Sequence, residues 1–486
     1  MRYTISCEAA QAHYLAIELL IPSIVADEIE LQLPAWRPGR YELANFAKNI
    51  QRFEVCDEYN RSVSFQKTTK DRWKVQTKGI KQVRVRYTYY AQQRDAGGSW
   101  LDETLVYINF INCLVYMEGR ISKTCEVQLQ MPANYQIACG LSETGKHLLQ
   151  AKDYYELVDS PMLASEFLQH ETYQVDESTF HLWLWGNCQP SWENVKADFK
   201  RFTQKQMQVM AGSQPDSFPS PHYHFIFQFL PYKHYHGVEH HNSTMIVLGP
   251  DTAFDQLYPE LLGISSHELF HAWNVIRIRP AELLPYDFTK ENYFPTGFVA
   301  EGVTTYYGDL FLKRSGVFTL EAYLAELNTT LKRHFENNGQ AFQSLVESSF
   351  DLWLDGYTAG IPNRKVSIYH KGAIVALILD LEIRQRTSHV RSLDDVMRFM
   401  WEHFGKRQVG YTIADYRAAV EEVTGRSQQS YFDECITSNA PLETRLNQAL
   451  DFVGLTLVSN NAPAVELRFQ DNIMEGQREN LERWLS

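Results

Sequence analysis

The sequence predicts a multi-domain chain: an N-terminal all-β sandwich-like domain followed by an α+β part whose C-terminal half is mostly helical. Three observations carry this. Residues 1 to about 170 are dominated by short runs of β-branched and aromatic residues, the types that suit a pleated, half-buried surface. From about residue 257 onward the apolar positions recur every three or four residues, the period of an amphipathic helix. At 486 residues the chain also exceeds what one hydrophobic core supports, so two or three domains are expected. The expected division is a β domain over 1–170, a mixed β/α part over 171–256, a helical part over 257–450 and a short C-terminal segment over 451–486.

The elements follow in order. Tyr14 to Leu19, Gln82 to Tyr89 and Leu105 to Phe110 read as strands, the second with strict polar–apolar alternation. After Trp192 the texture changes: Trp192 to Met210 has helical spacing, while His222 to Leu230 and Thr244 to Leu248 read as strands on either side of a histidine-rich turn. Helices are expected at 257–276, 298–314, 319–336, 368–386, 393–404 and 412–424. Gly316, Asn337-Asn338-Gly339, Gly405 and Gly425 stand at or just past their ends, where a left-handed cap is favoured. The last segment holds one apolar stretch, Phe452 to Val458, and then a polar tail.

Composition narrows the function. Hydrophobic residues at 44% and charged residues at 22% are ordinary for a soluble globular protein, and 13% aromatics favour sheet and well-filled pockets. A net charge of −13 argues against nucleic acid, because phosphate neutralisation needs a basic surface. The seven cysteines are spread out with no CxxC pair and read as free, mostly buried thiols. The N-terminus lacks the apolar core of a secretory signal, and the longest apolar run, Ala373 to Leu379, is far too short to span a bilayer. A cytoplasmic protein without membrane contact is the expectation.

His267-Glu268-Leu269-Phe270-His271 carries the chemistry. Residues four apart share a helix face, so His267 and His271 can clasp one tetrahedral zinc ion from the same side. Glu268 lies on the flank of that face, where a general base is needed and a ligand is not. Chance alone would supply the pattern in roughly one chain in twenty to thirty with this many histidines, and a polar helix face would look the same. A catalytic zinc takes three protein ligands. Glu282, Asp287, Glu291 and Glu301 are the downstream carboxylates on offer, and Glu301 stands out because it sits on an amphipathic helix with apolar positions 299, 303, 306, 307 and 310. Gly302 beside it lets another backbone come close. The two helices would be antiparallel neighbours.

On these residues the chain resembles the M61 peptidases, the glycyl aminopeptidase family of zinc metallopeptidases related to the M1 aminopeptidases. The stretch His267 to Pro280 is similar to the family's histidine signature, Glu301 to Leu310 to its third-ligand signature, and Leu33-Pro34-Ala35-Trp36-Arg37-Pro38-Gly39-Arg40-Tyr41 to that of its β domain. The resemblance spans residues 1 to about 455. It implies a thermolysin-like α+β catalytic domain of gluzincin type, one Zn²⁺ per chain held by His267, His271 and Glu301, and Glu268 as general base. Gly237, Val238, Glu239 and His240 match the family's substrate-gripping edge strand, in which Glu239 would pair with the free α-amine of a peptide. The chain departs from that pattern at His236, where glycine is common, which bears on the shape of the amine pocket. Tyr369, in Ile368-Tyr369-His370-Lys371-Gly372-Ala373, matches a tyrosine that donates to the oxyanion.

What the resemblance implies is release of small N-terminal residues from peptides with a free N-terminus. The competing readings are a zinc endopeptidase without amine selection and a non-catalytic peptide-binding scaffold. Members of the family often continue into a PDZ-like domain of about 90 residues, a normal small-domain size. Too little chain follows Leu455 for that, so a short remnant is expected over 451–486.

Overall fold

The computed structural model describes residues 1–212, 218–459 and 465–486. Its N-terminal part is a sandwich, built as the alternation predicts. In the larger sheet of seven strands, Arg2–Ala9 pairs in parallel with Cys125–Gln130 and antiparallel with Tyr14–Ile21, which pairs in turn with Val83–Tyr90. Along that last strand Val83, Val85, Tyr87 and Tyr89 are buried and the intervening residues are half-buried, so one face is committed to a core. Opposite it lies a four-stranded sheet centred on Glu28–Gln32 and Arg72–Gln76. Phe53 of the first sheet stacks on Trp73 of the second at 4.4 Å, with Tyr87 at 5.7 Å. The run expected as a strand over Leu105 to Phe110 is extended only over Val106–Ile108, because Phe110–Cys113 turns into a short helix buried on every side. An apolar run with no exposed face carries no period from which to read that change.

A mixed five-stranded sheet follows, in the order Gln169–Val175, Ser178–Trp185, His222–Phe229, Ser243–Gly249, His234–Glu239. Helix Trp192–Ala211 makes the crossover between the parallel strands Ser178–Trp185 and His222–Phe229. Ser243–Gly249 is buried along its whole length, and His234–Glu239 lies antiparallel outside it as an edge strand. Beyond residue 254 the chain is mainly helical. Leu320–Phe335, His370–Thr387, Leu393–Met400 and Ile413–Thr424 form where their periodicity places them, the last two opened by capping boxes from Ser392 and Thr412. A β-rich N-terminal domain is thus joined to a helix-rich C-terminal half.

Two helices differ from expectation at the places that later matter. The histidine helix runs over Phe254–Phe270 rather than 257–276. After it the chain turns more widely, with Ile276 N–H donating to His271 O and Ile278 N–H to Trp273 O. The cause is Asn274, whose carbonyl leaves the helical ladder to accept from His271 Nδ1 at 2.7 Å and from Thr304 Oγ1 at 3.2 Å. The helix carrying Glu301 begins as a π-helix over Phe298–Val303 and becomes α-helical over Thr304–Arg314.

All seven cysteines are unpaired thiols, and six of them are buried. Among the described residues no helix is long and apolar enough to cross a membrane. The C-terminal segment contributes a hairpin, Leu455–Ser459 with Val465–Phe469, and a helix, Glu475–Trp484. Trp484 is fully buried, donates from Nε1 to the Tyr306 hydroxyl at 2.9 Å, and offers its carbonyl to Arg314 Nε. Replacing Trp484 with Ala removes a buried indole and its hydrogen bond to Tyr306. The expected cost is about 3–5 kcal/mol, read as a lowered midpoint in denaturant unfolding followed by far-UV dichroism; an unchanged midpoint would show that the tail is not part of the helical core.

Candidate metal centre

The last turn of the histidine helix presents His267, and His271, the residue after its end, keeps helical backbone angles (φ −58°, ψ −20°), so the four-residue spacing places both rings on one face. Their Nε2 atoms lie 3.0 Å apart, and Glu301 Oε2 lies 3.4 Å from His271 Nε2 and 3.7 Å from His267 Nε2. Two donors at 2.0–2.1 Å from a tetrahedral zinc stand about 3.3–3.4 Å apart, which these three separations bracket. The tautomer also fits. The Asn274 carbonyl can only accept, so His271 Nδ1 carries the hydrogen and Nε2 turns its lone pair inward.

Glu301 is brought there by a backbone crossing. A Cβ on Gly302 would lie 2.5 Å from the Cα of Gly372, so both residues must be glycine for the π-helical turn and the start of helix His370–Thr387 to meet. The same crossing sets Tyr369, the residue before that helix, beside the centre. Asn274 ties the two helices together, its Nδ2 donating to Val299 O at 2.8 Å and to Thr304 Oγ1 at 3.0 Å. Gly263 lies against Asp309, His267 against Gly308, and Asn274 against Val299 and Thr304, so the two helices run antiparallel.

The edge strand supplies the remaining groups. Gly237 lies directly against the Glu268 carboxylate, and any side chain there would collide with it. Glu239, at the strand's end, is 6% exposed and belongs with Glu268 and His271 to a second set of donor atoms within 4.8 Å of one another. Above it passes Gly39, whose φ of +74° suits glycine and whose Cβ would lie 2.7 Å from Glu239 Oε2. Val238 is buried in the core, leaving its backbone on the strand. His240 lies one residue past the strand, its Nδ1 donating to Asp159 at 2.9 Å. His236 faces Asp95 of the N-terminal domain, Nδ1 to Oδ1 3.9 Å.

Electrostatically the centre is an excess of buried negative charge. Glu239, Glu268 and Glu301 are 6%, 5% and 3% exposed. Burial, with Glu239 and Glu301 adding to it, holds Glu268 well above the usual carboxylate range, and its Oε2 has no hydrogen-bond partner. Burial opposes charge on His271, but Glu301, Glu239 and Glu268 outweigh it and push the imidazole up to about 10. The cluster therefore attracts positive charge, and its two nitrogens and one carboxylate oxygen are a zinc-type donor set. Burial, reinforced by Glu301, Tyr357 and Glu239, raises the Tyr369 phenol, which stays protonated as a donor.

Some residues at the site were not singled out by motif. Tyr357, in an irregular loop, donates to Gly39 O at 3.4 Å, and Tyr41 keeps a buried hydroxyl without a partner beside Glu239 and Glu301. Tyr41 and Gly39 lie within the N-terminal signature segment, but nothing in it signals that they reach the catalytic half. Tyr357 has no sequence signal at all.

The model of the M61 peptidase N-terminal domain matches residues 2–166, and that of the M61 glycyl aminopeptidase matches residues 260–375, together more than half the chain. The chain belongs to the M61 peptidase family. Among solved structures, an aminopeptidase N family protein from Idiomarina loihiensis is 27% identical, covering 94% of this chain and 79% of that one with a TM-score of 0.86. An M1 zinc metallopeptidase from Deinococcus radiodurans is 13% identical over 90% of this chain and 94% of that one, TM-score 0.55, and a mutant of it bound to a Tyr-Ser-Ala substrate gives 0.54. At that identity the likeness is one of fold. No curated protein matches the chain. As an M61 peptidase whose His271 is oriented by Asn274, the protein should lose metal affinity about 10–100-fold on Asn274→Ala, measured by chelator competition; unchanged affinity would show that this hydrogen bond does not orient the ligand.

Proposed function

We propose that this chain is a zinc aminopeptidase that removes small, glycine- or alanine-like residues from the N-termini of peptides. One observation carries the reading: three buried carboxylates gather around His271 in two sets of donor atoms, each within 4.8 Å, and a metal dication together with one ammonium group would neutralise them. Two imidazoles and Glu301 match the dication, leaving Glu239, at the end of an edge strand, for the ammonium of a peptide's first residue. The glycyl description of the family model supports a small first residue.

In this reading His267, His271 and Glu301 hold Zn²⁺, one per chain. Bound there, zinc would supply Lewis acidity toward the scissile carbonyl and toward a water. The chain's own residues do the rest. Glu268 accepts the proton of the attacking water, with Oε2 free to take it, and passes it to the leaving amine. Gly237 and Val238 offer the open backbone edge along which the peptide lies, and Glu239 selects its charged end, with His240 bordering that end. Tyr369 donates from its phenol to the developing oxyanion. The closure of Gly39 over Glu239 leaves no room for chain on the N-terminal side of the first residue, which would make an exopeptidase of the site.

Two measurements test this. Glu268→Gln should retain one zinc per chain while turnover falls about 10²–10⁴-fold; near-wild-type activity would remove Glu268 from the mechanism. Peptides with free N-termini should be cut and their N-acetylated counterparts left intact, with Glu239→Gln raising KM for the free peptides. Equal cleavage of both forms would make the protein an endopeptidase, and zinc binding without hydrolysis of either would make it a scaffold.

A further inference from the structure

Most buried arginines in this protein are held by carboxylates, as Arg314 is by Asp394 at 3.0 Å and Arg384 by Asp380 at 3.1 Å. Three that are not line one cavity. Arg37, Arg277 and Arg279 border a space of about 570 Å³ between the N-terminal domain, the turn after the edge strand and the chain beyond the histidine helix. Among the described residues none of the three is ion-paired. Arg37 donates to Pro38 O at 3.1 Å and is 5% exposed. Arg277 donates to Ala272 O at 2.8 Å and to the carbonyls of Pro219 and His241, and meets His241 Nε2 at 3.2 Å. Arg279 donates to Ile276 O at 2.8 Å and leaves its buried Nε without a partner.

Two carboxylates share these walls, and neither is hydrogen-bonded to the three arginines, although Asp159 is close enough to favour the charged form of Arg277. Asp159 accepts from His240 Nδ1 at 2.9 Å and from His241 N–H at 3.1 Å, and Glu156 accepts from Lys152 N–H at 2.6 Å. Burial pushes the Arg277 guanidinium down to about 10, the direction expected for a cation short of counter-charge. In a chain of net charge −13, this is a local excess of unpaired cations. Leaving such groups buried is costly, and a bound anion relieves the cost. Asn109 and His240 add buried amide and imidazole atoms without partners on the same lining. Lys406, paired with Glu402, and Gln408 also line it, Ile276, Tyr286, Phe288 and Trp401 supply apolar wall, and the volume falls in the range of small-molecule sites, about 300–1,000 Å³.

The cavity is not the metal centre: Glu239, Glu268, His271 and Glu301 do not line it. It touches the centre from behind, since His240 follows Glu239 and Ile276 N–H donates to His271 O at 3.1 Å. We propose that this cavity binds a small organic carboxylate with an apolar body, at a site separate from the peptide cleft, and that its occupancy alters turnover at the metal centre. The binding stands on the cavity alone; the effect on turnover rests on the aminopeptidase reading.

The probe is 4-phenylbutanoate, with 4-phenylbutan-1-ol as its uncharged control, titrated calorimetrically into the full chain in zinc-loaded and metal-free forms. The expected result is a Kd of about 1 mM or tighter for the carboxylate, equal in both forms, with the alcohol at least about tenfold weaker. Arg279→Gln and, independently, Arg37→Gln should each weaken the carboxylate about tenfold while leaving the alcohol unchanged, so that one misfolded variant does not decide the matter. In peptide hydrolysis the carboxylate should change kcat without a proportionate rise in KM. Equal affinity for acid and alcohol, binding lost on removing zinc, or inhibition purely competitive with peptide would each overturn the proposal. Failure of the protein to hydrolyse any peptide would instead sink the aminopeptidase reading and leave the calorimetric result standing.

Discussion

Everything at the heart of this molecule is arranged around one electrostatic constraint: three carboxylates are buried together, and buried charge of one sign must meet charge of the other. Glu239, Glu268 and Glu301 come from a strand, a helix end and a π-helical turn, far apart in sequence, so their meeting is not an accident of local folding. His271 stands among them as a group that can carry compensating charge, and all three carboxylates favour its protonated form. A donor set that draws positive charge this strongly could hold a metal dication, and under the proposed function a dication and an ammonium group together would meet it.

Meeting that constraint determines the backbone around it. Glu301 reaches the histidines because a π-helical turn and a helix start cross at a pair of glycines. Glu268 can sit against the edge strand because residue 237 has no side chain. Asn274 breaks off the histidine helix one turn earlier than its apolar period suggests and spends its carbonyl and amide on His271 and on the opposing helix. The π-helical turn at Phe298–Val303 and the break after Phe270 both lie within one turn of a residue of the centre, in keeping with the concentration of irregular backbone at functional sites.

The N-terminal domain takes part as well. Its Trp36–Tyr41 segment lays Gly39 on Glu239, receives the hydroxyl of Tyr357 and anchors through Trp36 Nε1, which donates to Asp287 O at 2.8 Å. The same segment carries Arg37 to the wall of the cavity behind the centre. The β domain thereby packs against Glu239 and forms one side of a second pocket.

Much of this was legible in the sequence because it depends on short spacing. The period-two strands, the helices from 320 onward and the four-residue interval between His267 and His271 are local patterns, and local geometry follows from them directly. Glu301 stood out among four candidate carboxylates by its helical stripe and the glycine beside it, and the resemblance to the M61 family singled it out. The tertiary structure alone decided where the histidine helix stops, since Asn274 responds to partners at 299–304, and it alone turned the polar tail into a helix, because Trp484 finds its pocket on residues nearly 180 positions earlier. It alone joined Tyr41, Gly39 and Tyr357 to the centre and left three arginines around one cavity. Periodicity reports which face of an element is buried; what that face is buried against depends on contacts between distant segments, and those form only when the chain has folded.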